Sequence, residues 1–177
     1  AVVGAGHVKG ISILLEDENK INLSSLENIP ASSSIVKFIG WSVPLIIIGS
    51  LFYIGFTKGI QTVGDNIVFW ILANGILSAL GTLIAKGHII TIAAAFFAAP
   101  FTSLTPVIGA GYVAAFVQMY VAPPIVKEFE SVNTDMKKLK SWWKNKLLRI
   151  LLVFLFCGIG SILGTYIGAY EIILNLF

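Results

Sequence analysis

The stretch that decides the fold runs from His88 to Ala122 and reads HIITIAAAFFAAPFTSLTPVIGAGYVAAFVQMYVA. Its 35 residues include no Asp, Glu, Lys or Arg. A membrane-spanning helix needs about 20 apolar residues, so this run is too long for one crossing and tight for two. Helix-breaking residues are concentrated in its middle: Pro100, Pro106, Gly109 and Gly111. We therefore predict two shortened helices, a broken or re-entrant hairpin over 88–122.

Three hydroxyl side chains lie in the break, at Thr102, Ser103 and Thr105. Non-helical backbone is tolerated at membrane depth only where it is buried in protein or lines a wet cavity, so we expect these hydroxyls to hydrogen bond there. Broken helices near the midplane are also where transporters bind ions and substrates. The break therefore supports an alternative hypothesis, a small-molecule or ion permease that uses residues 100–111. Against it, no Asp, Glu, His, Lys or Arg lies between Thr91 and Val121.

The sequence around the hairpin is that of a membrane protein. Charged residues make up 12% of the chain and hydrophobic ones 56%, whereas a soluble domain carries about 25% charged residues. Apolar runs over 37–56, 66–85 and 147–170 predict three further spans. Residues 123–148 form a polar interlude between the hairpin and the last span. It carries apolar residues at helical spacing, which predicts an interfacial helix over 128–146. The expected fold is an all-α polytopic membrane domain over 35–177, with about five membrane helices including the broken hairpin.

Basic residues predict the orientation. If the hairpin returns to its starting side, ten basic residues share that side and Lys58 alone lies on the other: Lys20, Lys37, Lys86, Lys127, Lys137, Lys138, Lys140, Lys144, Lys146 and Arg149. The positive-inside rule then predicts a multi-pass cell-membrane protein with its N-terminal part in the cytoplasm. The lipid bilayer is the expected partner. The interlude lysines either bind anionic lipid or only set the topology, and nucleic acid is not an expected partner.

Small residues recur every four positions at Gly160, Gly164 and Gly168, a pattern that lets membrane helices approach closely. The partner is either another helix of this chain or a second copy. The second case would make the chain a homo-oligomer and a structural dimerisation scaffold. Asn74 lies in the middle of a predicted span, and we expect it to form a structural hydrogen bond rather than to serve transport.

The N-terminal segment AVVGAGHV predicts the end of a strand, a tight turn and the start of a short helix. Residues 1–15 are interpreted as the tail of an otherwise missing α/β domain, followed by a Ser-rich linker over 16–34, so the chain is expected to be the C-terminal piece of a longer protein. Gly4 and Gly6 would allow positive φ in the turn. His7 could then act as a metal ligand or an acid–base group, although a single His is more often structural.

Three segments together resemble the C-terminal part of archaeal and bacterial TraB/PrgY proteins, the pheromone-shutdown proteins related to the Tiki proteases. They are VVGAGHVKGI, AAPFTSLTPVIGAGYVAAFVQMYVAPPIVKEFE and WWKNKLLRILLVFLFCGIGS. The resemblance covers essentially the whole chain. Its most specific parts are the stretch from Pro100 to Gly111 and the pair Phe129–Glu130.

The resemblance implies an N-terminal α/β domain with two Gly-x-x-His motifs and an acidic residue, forming a metal-dependent hydrolase or peptidase site that limits a peptide signal. Gly4–His7 matches one motif, which implies that His7 is a catalytic group and metal ligand, with Gly4 and Gly6 shaping its turn. His88 does not match the other, because Ala85 stands where the glycine would be. We therefore expect a divalent metal only in the full-length protein, and no cofactor or activity in this fragment alone.

Overall fold

The computed structural model describes residues 3–16 and 34–177, which belong to two separate compact units. In the first unit, a 3-10 helix over Ala5–His7 leads into helix α1, Val8–Glu16. The predicted short helix is therefore present. The predicted strand falls on residues 1–3, of which the first two lie outside the described residues, and Val3 is not in a strand. The turn is 3-10 rather than left-handed, because Gly4 has a φ of −67°.

The second unit is entirely helical and begins with two long helices, α2 (Ser34–Lys58) and α3 (Ile60–Ile84). Only Gly59 separates them, and its φ of 90° is a conformation that glycine adopts at little cost. Helix α8 (Lys146–Leu174) closes the chain. These three helices are long and apolar enough to cross a membrane. They include the spans predicted over 37–56, 66–85 and 147–170 almost completely, and each is longer than its prediction.

The region from His88 to Ala122 forms two shorter helices, α4 (Ile89–Thr102) and α5 (Ala110–Val121). Their 14 and 12 residues correspond to about 21 Å and 18 Å of helix, less than the hydrocarbon thickness of about 30 Å. The break between them is where the sequence predicts it. Neither helix alone reaches that thickness, so three helices in the described part of the chain are long enough to cross a membrane, and α4 and α5 form the shortened pair.

The interlude differs from the single interfacial helix predicted over 128–146. It consists of two short helices, α6 (Val126–Glu130) and α7 (Val132–Asp135), and a 3-10 helix over Leu139–Trp143. Side chains take up hydrogen bonds here in place of the helical backbone ladder. The Asn145 amide donates to the carbonyl of Glu128, and its oxygen accepts from the backbone of Leu147 at the start of α8. Such side-chain hydrogen bonds compete with the backbone hydrogen bonds of a continuous helix, which explains why the prediction of a single helix over 128–146 is wrong.

Helices α3 and α8 form an antiparallel pair at the centre of the second unit. Trp70 in the first half of α3 lies against Gly168 late in α8, and Gly81 near the end of α3 lies against Phe156 in the first half of α8. Around this pair the surface is strongly apolar: Phe56 is 88% exposed, Tyr120 87% and Phe38 77%. Soluble proteins rarely expose continuous apolar surface of this extent, so the exterior is suited to lipid contact.

Candidate functional site

His7 is exposed at the end of the 3-10 helix, and its backbone N–H donates to the carbonyl of Gly4 at 2.9 Å. A Cβ at Gly6 would meet open space, so no close neighbour encloses the turn there. Within residues 3–16 and 34–177, no group of three His, Cys, Asp or Glu side chains is placed to hold a metal ion. Because a metal site needs three or four ligands, His7 and its described surroundings do not form one by themselves.

The broken hairpin satisfies much of its own backbone. Thr102 Oγ1 donates to the carbonyl of Ala98 at 3.0 Å, and Ser103 Oγ donates to that of Pro100 at 3.1 Å. Thr105 Oγ1 lies 3.2 Å from the carbonyl oxygen of Thr102 and 3.3 Å from that of Ile108. The three hydroxyls predicted to hydrogen bond in the break therefore do so.

Both prolines and one of the glycines in the break have packing roles. Pro100 lies in the last turn of α4, where its carbonyl also accepts the indole N–H of Trp70 at 3.1 Å. Pro106 packs against Gly40 of α2, at which a Cβ would lie 3.0 Å from the proline ring. Gly111 packs against the backbone carbonyl of Phe154 on α8. These contacts attach the break to three different helices.

A groove of about 530 Å³ lies between the break, α8 and Val43 of α2. The hydroxyls of the break line one side, and α8 contributes Ser161 and Thr165 together with apolar side chains such as Ile159 and Ile162. Ser161 is only 8% exposed. The groove is the clearest candidate site in the helical unit.

The N-terminus of α5 also lines the groove, at Gly109, Ala110 and Gly111. Gly109 provides no side-chain cap, and the Tyr112 N–H bonds back to the Gly109 carbonyl at 3.0 Å. The first N–H groups of a helix have no partner within the helix. The N–H groups of Ala110 and Gly111 therefore remain without an acceptor in the described part of the chain. Sequence reasoning located these glycines but did not predict this role.

The base of the hairpin is held by two side chains that the sequence reasoning did not assign. Gln118 is 2% exposed, and its amide oxygen accepts the backbone N–H of His88 at 2.8 Å. The His88 Nδ1 atom accepts from the Ile90 N–H and so caps α4. His88 is therefore a structural capping residue. A glutamine inside an apolar run was the available signal, because a buried amide requires a partner.

Asn74 and the glycine stripe lie together at the α3–α8 contact. The Asn74 amide donates to the carbonyl of Trp70, and its oxygen accepts from the Thr165 hydroxyl at 3.1 Å. The predicted structural hydrogen bond is present. Gly160 and Gly164 face backbone atoms of α3, and Gly168 faces the Trp70 ring. The stripe therefore packs within this chain, and these glycines are covered rather than open to a second copy.

A polar cluster connects the interlude to α8, at the end of the unit where α3 finishes. Asn145 is 5% exposed, and its amide donates to Asp135 Oδ2 at 2.9 Å, where the Ser131 hydroxyl also donates. Hydrogen bonds from Asn145 and then Ser131 lower the pKa of the Asp135 carboxyl from its ordinary value. The Trp143 indole donates to the carbonyl of Ile84 at 2.9 Å and attaches the cluster to α3.

Comparisons with known proteins identify the family. Residues 35–177 match the model of the TraB family protein, C-terminal domain. The chain is 34% identical over 174 residues to the uncharacterized protein MJ1365 of Methanocaldococcus jannaschii. That alignment covers 94% of this chain but 44% of the relative, so the chain spans less than half of its length. No solved structure matches the chain. The resemblance in the sequence is confirmed, and the chain belongs to the TraB family, of which residues 35–177 form the C-terminal domain.

Proposed function

We propose that residues 34–177 are a multi-pass membrane anchor, which holds the N-terminal part of a TraB-family protein at the cytoplasmic face of the cell membrane. The observation that carries this proposal is the combination of three long apolar helices with an exterior of exposed aromatic and aliphatic side chains. A bilayer would cover that surface. The polar groups between the helices, such as Asn74 with Thr165, serve internal hydrogen bonds, which favours an anchor over a permease.

The orientation rests on which residues share an end of the helical unit. The Trp143–Ile84 hydrogen bond brings the basic interlude to the end of α3, next to Lys86. Lys58 lies at the other end of α3, beside the turn at Gly59. Under the positive-inside rule, the interlude end faces the cytoplasm, and Lys58 faces outward. Three crossings then place Phe177 outside.

Alkaline carbonate extraction of cell membranes tests the anchor. The full-length protein should stay in the membrane pellet, and a version that lacks residues 34–177 should be released. Release of the full-length protein by carbonate contradicts the proposal. A permease, the alternative hypothesis, predicts solute flux through the full-length protein in vesicles, and that hypothesis stays a prediction.

Cysteine labelling tests the orientation. Cys157 is buried, so the wild-type chain is the background control. Lys58→Cys should react with a membrane-impermeant maleimide in intact cells, whereas Lys144→Cys should react only after permeabilisation. Both lysines are exposed, so accessibility within the fold does not limit either reaction. The opposite labelling pattern would show that the orientation is the reverse of the proposed one.

A metal-dependent hydrolase or peptidase activity of the full-length protein, acting on a peptide signal, rests on the family resemblance and on His7. Further ligands would have to come from outside the described residues. The test compares metal content and peptide cleavage of the full-length protein between the wild type and His7→Ala. His88→Ala is the matched control, since His88 caps α4 in the helical unit. Equal metal content and equal cleavage in wild type and His7→Ala would exclude a role for His7.

A further inference from the structure

We propose that residues 136–140 of the interlude bind the anionic headgroup of a phospholipid in the surrounding leaflet. This segment, MKKLK, runs from the end of α7 into the 3-10 helix over Leu139–Trp143 and is called the lysine turn below. The anchor proposal brings the lysine turn to the membrane surface, so the lipid proposal rests on it. The lipid proposal goes further, because it names a class of lipid and the side chains that recognise it.

The lysine turn is held at the end of the helical unit where α3 finishes and α8 begins. The Trp142 indole donates to the carbonyl of Met136 at 3.2 Å. The next residue, Trp143, donates to the carbonyl of Ile84, which is the last residue of α3. These hydrogen bonds fix the turn a few residues from the ends of two membrane-length helices. A ligand therefore finds the turn already ordered, which lowers the entropic cost of binding.

The fold separates the acidic side chains of the interlude from most of its basic ones. Glu128 accepts two backbone N–H groups, at 2.8 Å and 3.0 Å, and Asp135 accepts the Asn145 amide and the Ser131 hydroxyl. Glu130 is the one exposed carboxylate of the three in the interlude. Five lysines of the interlude are exposed: Lys127, Lys137, Lys138, Lys140 and Lys144. The exposed charge is therefore mainly positive, and it complements an anionic membrane surface.

Exposed apolar side chains alternate with the lysines of the turn, and they distinguish a lipid from a soluble anion. Met136 and Leu139 are each more than half exposed, and they flank Lys137 and Lys138 in sequence. Apolar side chains interspersed with lysines suit the boundary between headgroups and acyl chains. A phospholipid offers its phosphate to the lysines and apolar contact to Met136 and Leu139. A soluble phosphate would satisfy only the lysines.

The test measures the binding of single phospholipids to the whole chain in an uncharged detergent, by native mass spectrometry. Each lysine near an anionic lipid contributes about fivefold in affinity, so the three lysines of the turn should make the Kd of phosphatidylglycerol about 100-fold lower than that of phosphatidylcholine with the same acyl chains. Equal Kd values would refute the proposal, and the lysines would then only set the topology. Inhibition by inorganic phosphate as strong as that by phosphatidylglycerol would replace the lipid with a soluble anion. Neither outcome bears on the anchor, which carbonate extraction tests separately.

A double variant, Lys137→Gln with Lys140→Gln, tests the lysine turn itself. Lys138 is kept, because its charge also acts on the Asp135 carboxyl. The double variant should raise the Kd of phosphatidylglycerol about 25-fold and leave that of phosphatidylcholine unchanged. Both substituted side chains are exposed, so the packed contacts of the turn stay in place. Lys140→Gln alone should raise the Kd about fivefold, and it provides the test if the double variant does not fold.

The matched control is Lys9→Gln with Lys58→Gln. It removes the same two charges from exposed positions on α1 and α2, outside the interlude. The control should bind phosphatidylglycerol as the wild type does, and thermal unfolding checks that each variant is folded. An equal loss of affinity in the control would show that binding follows net charge alone, which overturns the site. An unchanged Kd in the folded turn variants overturns it as well.

Discussion

Replacing Gly160 with Ala should force α3 and α8 apart. A Cβ at this position would contact the Leu77 carbonyl oxygen and lie 2.6 Å from its carbonyl carbon and 2.9 Å from Ser78 Cα. All three are backbone atoms of α3, so no side-chain rotation relieves the overlap. The helices must separate by roughly 1 Å to restore ordinary contact, and a gap of that size forfeits about a quarter to a half of the dispersion energy at the atoms affected.

The expected cost is about 3 kcal/mol of unfolding free energy, the upper part of the range for overpacking. Gly158→Ala is the matched control, because Gly158 lies on the same helix and a Cβ there would meet nothing within 4 Å. That change should be neutral or stabilising by up to about 1 kcal/mol, since Ala favours a helix over Gly. The measurement is unfolding of the full chain in mixed micelles with increasing dodecyl sulfate.

A second pair on the partner helix repeats the comparison. A Cβ at Gly81 would contact the Phe156 carbonyl, whereas a Cβ at Gly64 meets nothing within 4 Å. Gly81→Ala should therefore destabilise the chain and Gly64→Ala should not. If Gly160→Ala is as stable as Gly158→Ala, the close backbone approach of α3 and α8 is refuted.

Two further predictions concern the polar cluster of the interlude. Asn145→Ala should lower the unfolding free energy by about 2–3 kcal/mol, because it removes the cap of α8 and the hydrogen bond to Asp135. Asn133 is exposed, so Asn133→Ala is the control and should have little effect. Equal stability of the two variants in the same micelle assay would contradict the capping role. The lowered pKa of Asp135 contributes stability that is complete above the unfolded carboxyl pKa of about 3.9 and is lost as pH falls through the folded pKa. The unfolding free energy measured between pH 6 and pH 2 (about the range of carboxyl titration) should therefore fall less steeply in Asp135→Asn than in the wild type. Glu130 is exposed, so Glu130→Gln is the control and should keep the wild-type pH dependence. An unchanged profile in Asp135→Asn would show that this carboxyl is not linked to folding.

The hairpin shows which structural features can be predicted from residues that are near one another in the sequence. The break between Thr102 and Ala110 was predictable because Pro100, Pro106, Gly109 and Gly111 interrupt an otherwise continuous apolar run. The hydrogen bonds of the break's hydroxyls were also predictable, since their acceptors are carbonyls three or four residues away. Such interactions are encoded within one turn of backbone.

The interlude shows where local pattern misleads. Its helical spacing of apolar residues predicted one continuous helix, but the Asn145 side chain bonds to the Glu128 carbonyl, 17 residues away in sequence. Likewise, nothing near Ser161 in sequence indicates that it lines the same groove as Ala110 of α5. Partners so distant in the chain leave no periodic signal.

The sequence by itself determined the helical membrane-type architecture, the presence of three long apolar helices, the site of the break and the small-residue stripe on α8. Each follows from the run length of apolar residues or from breakers and glycines within a few positions. The tertiary structure alone decided that α3 covers the stripe, that the interlude is fragmented, and that Ser161 and Ala110 share a groove. In a membrane-type bundle, lipid-facing and protein-facing side chains are similarly apolar, so hydrophobic periodicity cannot tell which face of a helix meets its partner.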